Sequence, residues 1–464
     1  MQERLNELGN ESIARLLIKY STPAMIAMFV NSMYNLVDTI FVGYGAGTLA
    51  LAALAVSWPV QMIVVAIGMA VGIGTASVIS RSLGAGDHDR AERVAGTSFV
   101  VIGVIALAIT CLGLLFLQPL LRLFGATEAI MPYAVDYLSI IFIGNFFLAS
   151  SISANNIIRS EGAARVAMIS MITGAVVNTI LDPIFIFGLD MGIRGAAIAT
   201  VIANISTFTF ISWFFFSGRS ILNIKRRHLI PDLNELPEVA KIGSATFFSM
   251  IVGSLMAIPI NGLIIHYGED IHLAIIGVTN RAMMFFFMPI FGLTQGLQPI
   301  IGFNYGAKKL ERVKETVRKA SMYATIMSVF AFLVLMFATQ PLLRIFSPDK
   351  ELIIEGIPIV RILCIAMPFV GFQMVGGAFF QALGRARPAF VITLSRQVIV
   401  LLPLAFIVPR FYGLTGLWAS FPTADLVSTT ITAVWVLVAI RHLKDDPKTV
   451  EIPVDDTVDS MSPI

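Results

Sequence analysis

The segment QPLLRLFG at residues 118–125 recurs as QPLLRIFS at residues 340–347, which is 222 residues further along the chain. Three more pairs of segments repeat at this spacing to within one residue: SLGAGDHDRAERV (82–94) with NYGAKKLERVKET (304–316), EGAARVA (161–167) with LGRARPA (383–389), and GIRGAAIAT (192–200) with GLTGLWAS (413–420). The chain is therefore predicted to contain two copies of one structural unit.

The composition indicates that this unit is embedded in a membrane. Of the 464 residues, 57% are hydrophobic and only 13% are charged, whereas about a quarter of the residues in soluble domains are charged. A membrane span needs roughly 20 mostly apolar residues. Twelve such stretches are predicted, at about 15–41, 49–80, 94–117, 132–157, 164–187, 195–217, 240–267, 272–303, 318–339, 354–382, 388–409 and 414–440.

The repeat and the spans together predict an all-α integral membrane protein, with twelve transmembrane helices in two six-helix pseudo-symmetric lobes around a central cavity. The predicted parts are an N-lobe at 1–224, a cytoplasmic linker at 225–239, a C-lobe at 240–443 and a disordered cytoplasmic tail at 444–464. Because six is even, both copies have the same orientation in the membrane. Parallel repeats of this kind are typical of transporters that bind substrate between the halves and work by alternating access.

The distribution of basic residues predicts the orientation. With the N-terminus inside, the cytoplasmic segments hold 24 of the 32 Lys and Arg residues, and the external loops hold five. This bias places both termini in the cytoplasm and predicts a multi-pass protein of the cell membrane. The net charge of +3 reflects these loops, so no nucleic-acid partner is expected. The two cysteines lie in separate spans, which excludes a disulfide framework.

Two carboxylates, Asp38 and Asp182, lie inside apolar stretches. An ionisable residue in a membrane span costs about 2.5–3.5 kcal/mol or more, and it normally faces a cavity, a partner or an ion. Asp38 precedes the outer end of its span by about three residues, Asp182 precedes its own by about five, and Thr200 lies about five residues into the next span. At 1.5 Å per residue, all three lie roughly 5–8 Å below the outer interface. One shared site is therefore predicted.

Neighbouring polar residues support this site. Asn31, Tyr34 and Asp38 lie on one helix face, and Asn178 lies one turn from Asp182. Two carboxylates in a low-dielectric pocket cannot both ionise freely, so the pair suits a proton carrier. The same oxygens with Asn178 and Thr200 are hard ligands that suit sodium. Both coupling ions stay open, no other cofactor is expected, and a purely structural role for the acids is the alternative.

The second copy lacks this site, because the positions that align with Asp38 and Asp182 are apolar or neutral. Arg396 and Asp425 lie deep in the C-lobe spans and are predicted to form an ion pair. Whether this pair is structural or takes part in coupling is left open. Pro23 lies on the cytoplasmic side of Asp38 in the same span. It removes a helix hydrogen bond, so it is either a static kink or a point of bending.

Four segments resemble the multidrug and toxic compound extrusion (MATE) transporters: YNLVDTIFVG (34–43), LGAGDHDRA (83–91), NTILDPIFIFG (178–188) and GIRGAAIAT (192–200). The resemblance implies a cation-coupled antiporter that exports organic cations, drugs and other amphipathic toxic compounds. Residue by residue, it places the cation-coupling site at Asp38, Asn178, Asp182, Thr200 and Tyr34, a helix-bending proline at Pro23, and substrate contacts at Asn31 and Asn155. The stretch 356–384 contains no acid, which resembles the DinF/MepA-like branch.

The expected partners are small-molecule organic cations or drugs and the lipid bilayer, and the protein is expected to be a monomer. A lipid-linked saccharide flippase of the same superfamily is the alternative within transport. Such a protein needs a cationic cavity for pyrophosphate, whereas the predicted pocket here is acidic. The sequence contains no His-Glu-x-x-His motif and no Gly-Lys-Ser/Thr phosphate loop, so an enzyme is not expected.

Overall fold

The computed structural model describes residues 2–346 and 349–443, and all regular structure in these ranges is helical. The predicted tail at 444–464 lies outside the described residues. The first half of the chain contains eight α-helices, and α7 continues as a π-helical turn at Ile184–Gly188. They are α1 (Gln2–Asn10), α2 (Ile13–Ala46), α3 (Thr48–Gly84), α4 (His88–Leu115), α5 (Leu117–Leu123), α6 (Met131–Ser160), α7 (Ala164–Pro183) and α8 (Gly192–Phe216).

The second half begins with a short 3-10 turn at Arg226–Leu229 in the linker and then forms nine α-helices. A π-helical segment, Ser395–Leu401, joins two of them. The helices are α9 (Leu236–Tyr267), α10 (Asp270–Gly306), α11 (Leu310–Phe337), α12 (Thr339–Phe346), α13 (Lys350–Cys364), α14 (Met367–Ala382), α15 (Ala386–Leu394), α16 (Leu402–Ile407) and α17 (Pro409–His442). We call the bundle α2–α8 the N-lobe and the bundle α9–α17 the C-lobe.

The described helices account for the spans predicted from the sequence. Eleven helical segments are long and apolar enough to cross a membrane, and α13 with α14 forms a twelfth that is bent by 46°. The all-α, twelve-span prediction is confirmed. Helices α4 and α11 begin several residues earlier than predicted, at His88 and Leu310. Their first turns are charged, so the helix extends beyond the apolar stretch that predicted it.

The two lobes pack closely at one end of the bundle. This is the end that holds α1, the 82–94 segment, the linker and the 304–312 segment, and we call it the basic end. Helix α2 meets α10 there: a Cβ on Gly296 would lie 2.7 Å from the Ser21 backbone nitrogen, and one on Gly292 would lie 2.7 Å from that of Met25. Only glycine permits so close an approach. The lobes are therefore closed against each other at the basic end.

Ion pairs reinforce this closure. Arg81 of the N-lobe contacts Glu238 of α9 at 2.7 Å. Arg90 contacts Glu235 at 2.9 Å and Glu238 at 2.7 Å. All four side chains are partly buried, so this network is less screened by solvent than an exposed pair.

Helix α1 lies across the basic end and touches both lobes. Arg4 donates a hydrogen bond to the carbonyl of Arg219, just after α8, at 3.4 Å. Lys309, just before α11, donates to the carbonyl of Gly9 at 2.8 Å. Leu8 is fully buried in the largest apolar cluster. The amphipathic segment that precedes the first span is thus a strap that connects the lobes.

Candidate functional site

Three neighbouring helices of the N-lobe bring the predicted cation-coupling residues together. Asp38 lies on α2, Asn178 and Asp182 lie one turn apart on α7, and Thr200 lies on α8, and these helices pack against one another. The Asn178 amide donates a hydrogen bond to Asp182 Oδ1 at 3.2 Å and to Thr200 Oγ1 at 3.4 Å. We call Asp38, Asn178, Asp182 and Thr200 the acidic cluster.

The two carboxyl groups of the acidic cluster lie within hydrogen-bond reach of each other. A hydrogen bond between two carboxyl groups requires a proton on one of them, because ionised carboxylates only accept. Asp182 is fully buried and Asn178 is 2% exposed. Three buried oxygens here have no hydrogen-bond partner among the described residues: Asp38 Oδ1, Asn178 Oδ1 and Asp182 Oδ2.

These unpartnered oxygens decide what the acidic cluster can bind. A buried acceptor without a partner costs about 1–3 kcal/mol, and more if it is charged. A proton on a carboxylate, or a hard cation held by carboxylate, amide and hydroxyl oxygens, would satisfy them. The residues present therefore fit either a proton or a sodium ion.

The backbone of α7 changes immediately after Asp182. Pro183 has no N–H, so it cannot continue the helix ladder, and the chain forms the π-helical turn Ile184–Gly188 instead. This turn packs on the last turn of α2, where a Cβ on Gly45 would lie 2.8 Å from the Phe187 ring. The turn thus braces the ends of the two helices that hold Asp38 and Asp182, at the end of the bundle opposite the basic end.

Two aromatic residues share the electrostatic environment of the acids. Tyr34 of α2 was predicted, and it lies in the field of both Asp38 and Asp182. Tyr137 of α6 was missed, although it lies in the same field and its hydroxyl accepts a hydrogen bond from Gln61 Nε2 at 3.5 Å. Tyr137 follows the start of α6 by six residues, roughly 9 Å at 1.5 Å per residue. The depth argument that located the acids would have found it.

The two predicted substrate contacts lie apart from the acidic cluster. Asn31 is on the helix face of Asp38, two turns closer to the basic end, and its carbonyl accepts from the Asn35 amide at 2.7 Å. Asn155 Oδ1 accepts from Ser170 Oγ at 2.7 Å, between α6 and α7. Ser170 precedes Asn178 by eight residues, about 12 Å along the helix. Asn155 is also only 5% exposed, so here it joins two helices.

Pro23 is buried within α2, which continues as one helix from Ile13 to Ala46. Its neighbours Ser21 and Met25 are the residues that meet the glycines of α10. The proline therefore lies where α2 contacts the other lobe. The structure represents one conformation, and in it the helix is unbroken at this residue.

Arg396 and Asp425 form an ion pair in the C-lobe. The Arg396 Nε donates to Asp425 Oδ1, and Nη2 lies 3.5 Å from Oδ2. Asp425 is 7% exposed at its side chain and Arg396 is 36% exposed. The acid is thus covered by the guanidinium, whereas the guanidinium is partly open.

Comparisons with known proteins agree with this architecture. The family model described as MatE matches residues 23–184 and again residues 245–407. The multidrug export protein MepA of Staphylococcus haemolyticus (strain JCSC1435) is 26% identical over 440 residues, which cover 95% of this chain and 96% of the relative. MepA of Staphylococcus aureus (strain MSSA476) is 25% identical over 446 residues, which cover 96% and 97%.

Solved structures extend the similarity. The structure described as the MATE multidrug transporter DinF-BH, in complex with a ligand, has a TM-score of 0.87 and 42% identity, covering 94% of this chain and 97% of that one. A crystal structure of MATE in the bent conformation has a TM-score of 0.91 and 27% identity, covering 96% and 99%. These matches confirm the resemblance that the four segments indicated. The chain belongs to the MatE family, the multidrug and toxic compound extrusion family of multi-pass membrane transporters.

Proposed function

We propose that this protein is a cation-coupled antiporter that exports organic cations, drugs and other amphipathic toxic compounds, with the acidic cluster as its coupling site. The observation that carries this proposal is the pair Asp38 and Asp182 in one lobe, each of which has one buried oxygen without a hydrogen-bond partner among the described residues. Such a site binds a cation reversibly, because protonation or ion binding relieves the cost of the buried acceptors. In this proposal, the protein works as a monomer and catalyses no covalent reaction.

The relatives support the class of substrate. Two of them are named multidrug export proteins, and DinF-BH is described as a multidrug transporter in complex with a ligand. The acidic character of the N-lobe site fits cations better than the pyrophosphate of a lipid-linked saccharide. Organic cations are therefore the proposed cargo, and a flippase activity is not proposed.

In the proposed cycle, the basic end faces the cytoplasm of the cell membrane, in accord with the positive-inside rule. The lobes are closed at this end, so the described conformation corresponds to the outward-facing state. A change of charge at Asp38 would alter the packing of α2 on α7, and α2 could then bend at Pro23 and release α10. Ion movement in one direction would thus be linked to drug movement in the other.

Either a proton or a sodium ion can take the coupling role in this proposal. The closeness of the two carboxyl groups supports a proton, because a proton on one of them would let it donate to the other, and the all-oxygen donor set supports sodium. The deciding experiment measures efflux of a fluorescent organic cation from proteoliposomes, with a proton gradient or a sodium gradient imposed one at a time. Export driven by one or both gradients supports the proposal. The absence of gradient-driven export under both conditions contradicts it.

Substitution of either acid tests the site itself. Asp38→Asn or Asp182→Asn keeps the size of the side chain and removes its charge, so we expect gradient-driven efflux to fall to the level of empty liposomes while expression is unchanged. Asp136→Asn is the matched control, because Asp136 forms an exposed ion pair with Arg194 at 2.8 Å outside the acidic cluster. Full transport by both cluster variants would refute the assignment.

A further inference from the structure

The C-lobe contains a cavity of ≈ 280 Å³ that the proposed coupling site does not use. Its walls come from α9, α10, the bent pair α13 and α14, the π-helical segment and α17. Most lining residues are Ile, Leu, Met, Phe, Val, Ala and Gly, and the polar ones are Asn261, Asn280, Arg396, Gln397 and Asp425. A mainly apolar chamber with a few convergent polar groups is typical of a small-molecule site.

We propose that this cavity binds small, mostly apolar molecules that contain a carboxylate, and that Arg396 is the residue that pairs with the carboxylate. The proposal goes beyond the cation antiport described above, since such binding needs neither the acidic cluster nor an ion gradient. Under this proposal, the N-lobe binds cations and the C-lobe binds carboxylates.

The geometry of the ion pair leaves Arg396 able to bind an anion. A guanidinium has five N–H donors, and Asp425 accepts one hydrogen bond from Nε and one from Nη2, which leaves three N–H groups. The Arg396 side chain keeps 36% of its surface exposed and lines the cavity. Its remaining donors are thus available in a fork that matches a carboxylate. Asp425, in contrast, is covered by Arg396 and offers little to a cationic ligand.

A second polar residue supports a ligand site at the same place. Gln397 also lines the cavity, and its buried Oε1 has no hydrogen-bond partner among the described residues. Arg396 and Gln397 both belong to the π-helical segment Ser395–Leu401. Such π-helical turns in otherwise α-helical spans occur frequently at functional sites. The unpartnered oxygen can accept a hydrogen bond from the ligand.

The charge balance favours an anionic end over a cationic one. Arg396 and Asp425 neutralise each other, so an incoming carboxylate meets open N–H groups, whereas an incoming ammonium meets the guanidinium. The volume of the cavity is close to the lower end of the roughly 300–1,000 Å³ that is common for drug-sized ligands. A bicyclic aromatic acid is therefore a suitable probe.

The test measures binding of 2-naphthoate to the purified full-length protein by equilibrium dialysis without any gradient. Methyl 2-naphthoate and 2-naphthylmethylammonium share the ring system and serve as neutral and cationic probes. We expect saturable binding of 2-naphthoate that is at least tenfold tighter than that of either analogue. No saturable binding, or tighter binding of the ammonium compound, would overturn the proposal.

The variant for this test replaces both charges, because removal of Arg396 alone leaves an unpaired buried acid that endangers folding. Arg396→Met with Asp425→Leu is expected to weaken 2-naphthoate binding at least tenfold and to leave methyl 2-naphthoate binding unchanged. Arg281→Met is the matched control, since Arg281 is an exposed arginine of α10 that does not line the cavity. Unchanged 2-naphthoate affinity in the double variant contradicts the assignment of Arg396.

Binding and coupling can fail separately. Asp38→Asn should abolish gradient-driven export and leave 2-naphthoate binding intact. Loss of 2-naphthoate binding in Asp38→Asn would show that the carboxylate site is not in the C-lobe. Retained export in that variant would instead contradict the proposed coupling site.

Discussion

Asn178 joins the parts of the acidic cluster, because its single amide donates to both Asp182 and Thr200. Asn178→Leu keeps the volume and removes the donor, and it leaves an aspartate oxygen with one partner fewer in a buried position. At about 1–3 kcal/mol for an unsatisfied buried group, we expect the rate of gradient-driven efflux to fall by about fivefold or more. Thr179→Val is the control, since the Thr179 hydroxyl bonds only to the Ala175 carbonyl of its own helix among the described residues. Equal rates in the two variants would contradict this role of Asn178.

A further buried acid, Glu161, lies outside the spans, at the basic end. Glu161 follows α6 and is fully buried. Its Oε2 accepts hydrogen bonds from the Ser220 hydroxyl and the Ile221 N–H, both at 2.7 Å. Its Oε1 has no partner among the described residues. Burial raises the pKa of Glu161 to about 7, although the two hydrogen bonds oppose the shift.

This raised pKa predicts a pH-dependent stability. The folded protein holds a proton on Glu161 up to about pH 7, whereas an unfolded glutamate releases it near pH 4.3. Stability from this group is therefore fully present below about pH 4.3 and is lost as the pH rises through 7, by roughly 4 kcal/mol in total. We expect the Tm of the detergent-solubilised protein to fall between pH 5 and pH 8, and Glu161→Gln to remove most of that slope. Parallel Tm profiles would disprove the assignment.

The residues of the candidate site differed in how well the sequence could locate them. Asp38, Asp182 and Thr200 were placed at one depth by counting residues from the span ends, and the structure brings them together. Tyr137 could have been found by the same count. It was not considered because a tyrosine side chain is neutral, and the search for costly residues in the spans began from charged side chains. The contacts of Asn155 could not be predicted from the sequence, because the depth of a residue in the membrane does not say which neighbouring helix its side chain faces. Its bond to Ser170 depends on how α6 and α7 rotate against each other.

At the level of elements, hydropathy predicted the spans because each is a long apolar stretch that a membrane requires to be helical. It did not predict the short helices α5 and α12. These helices contain the repeated QPLLR segments, which are too short to span a membrane and are amphipathic. Helix α1 lies before the first predicted span, and its contacts with both lobes depend on tertiary packing, which hydropathy does not describe.

Helix α2 and helix α10 offer a test of the closed basic end. Gly296→Ala would place a methyl group 2.7 Å from the Ser21 nitrogen, so the helices must separate, at a cost of about 1–3 kcal/mol. Gly277→Ala in the same helix meets nothing within 4 Å and is the control. We expect a lower Tm for the first variant and no decrease for the second. A Tm for Gly296→Ala equal to that of the control would show that the packing is looser than described.

For the whole molecule, the repeat produced two lobes of the same architecture but different chemistry. The N-lobe holds two acids that each have one buried oxygen without a partner among the described residues, whereas the C-lobe neutralises its deep acid with an arginine. In the proposed scheme, coupling is confined to the N-lobe, so the C-lobe is free to specialise in ligand recognition and the contact between the lobes must transmit the change.

The contact between the two lobes at the basic end includes ion pairs. Arg81 pairs with Glu238, and Arg90 pairs with both Glu235 and Glu238. An ion pair of this kind contributes about 0.2–1 kcal/mol, and every 1.4 kcal/mol changes a population ratio tenfold. Glu235→Gln with Glu238→Gln removes three ionic contacts at once. We therefore expect the population with an open basic end to rise by about threefold to a hundredfold.

Electron–electron distance measurements between two nitroxide labels test this shift. His88→Cys and Arg318→Cys place the labels on exposed positions of opposite lobes near the basic end, once Cys111 and Cys364 have been replaced. In the Glu235→Gln, Glu238→Gln variant, we expect a larger fraction of long label-to-label distances than in the parent protein. The reason is that loss of the ion pairs lets the lobes separate at the basic end. Glu11→Gln is the control, because it breaks an ion pair that lies within the first 15 residues and joins no lobes. If both variants reproduced the parental distance distribution, the ion pairs would not be what holds the basic end closed. The glycine contacts between α2 and α10 and the strap formed by α1 would then have to do so.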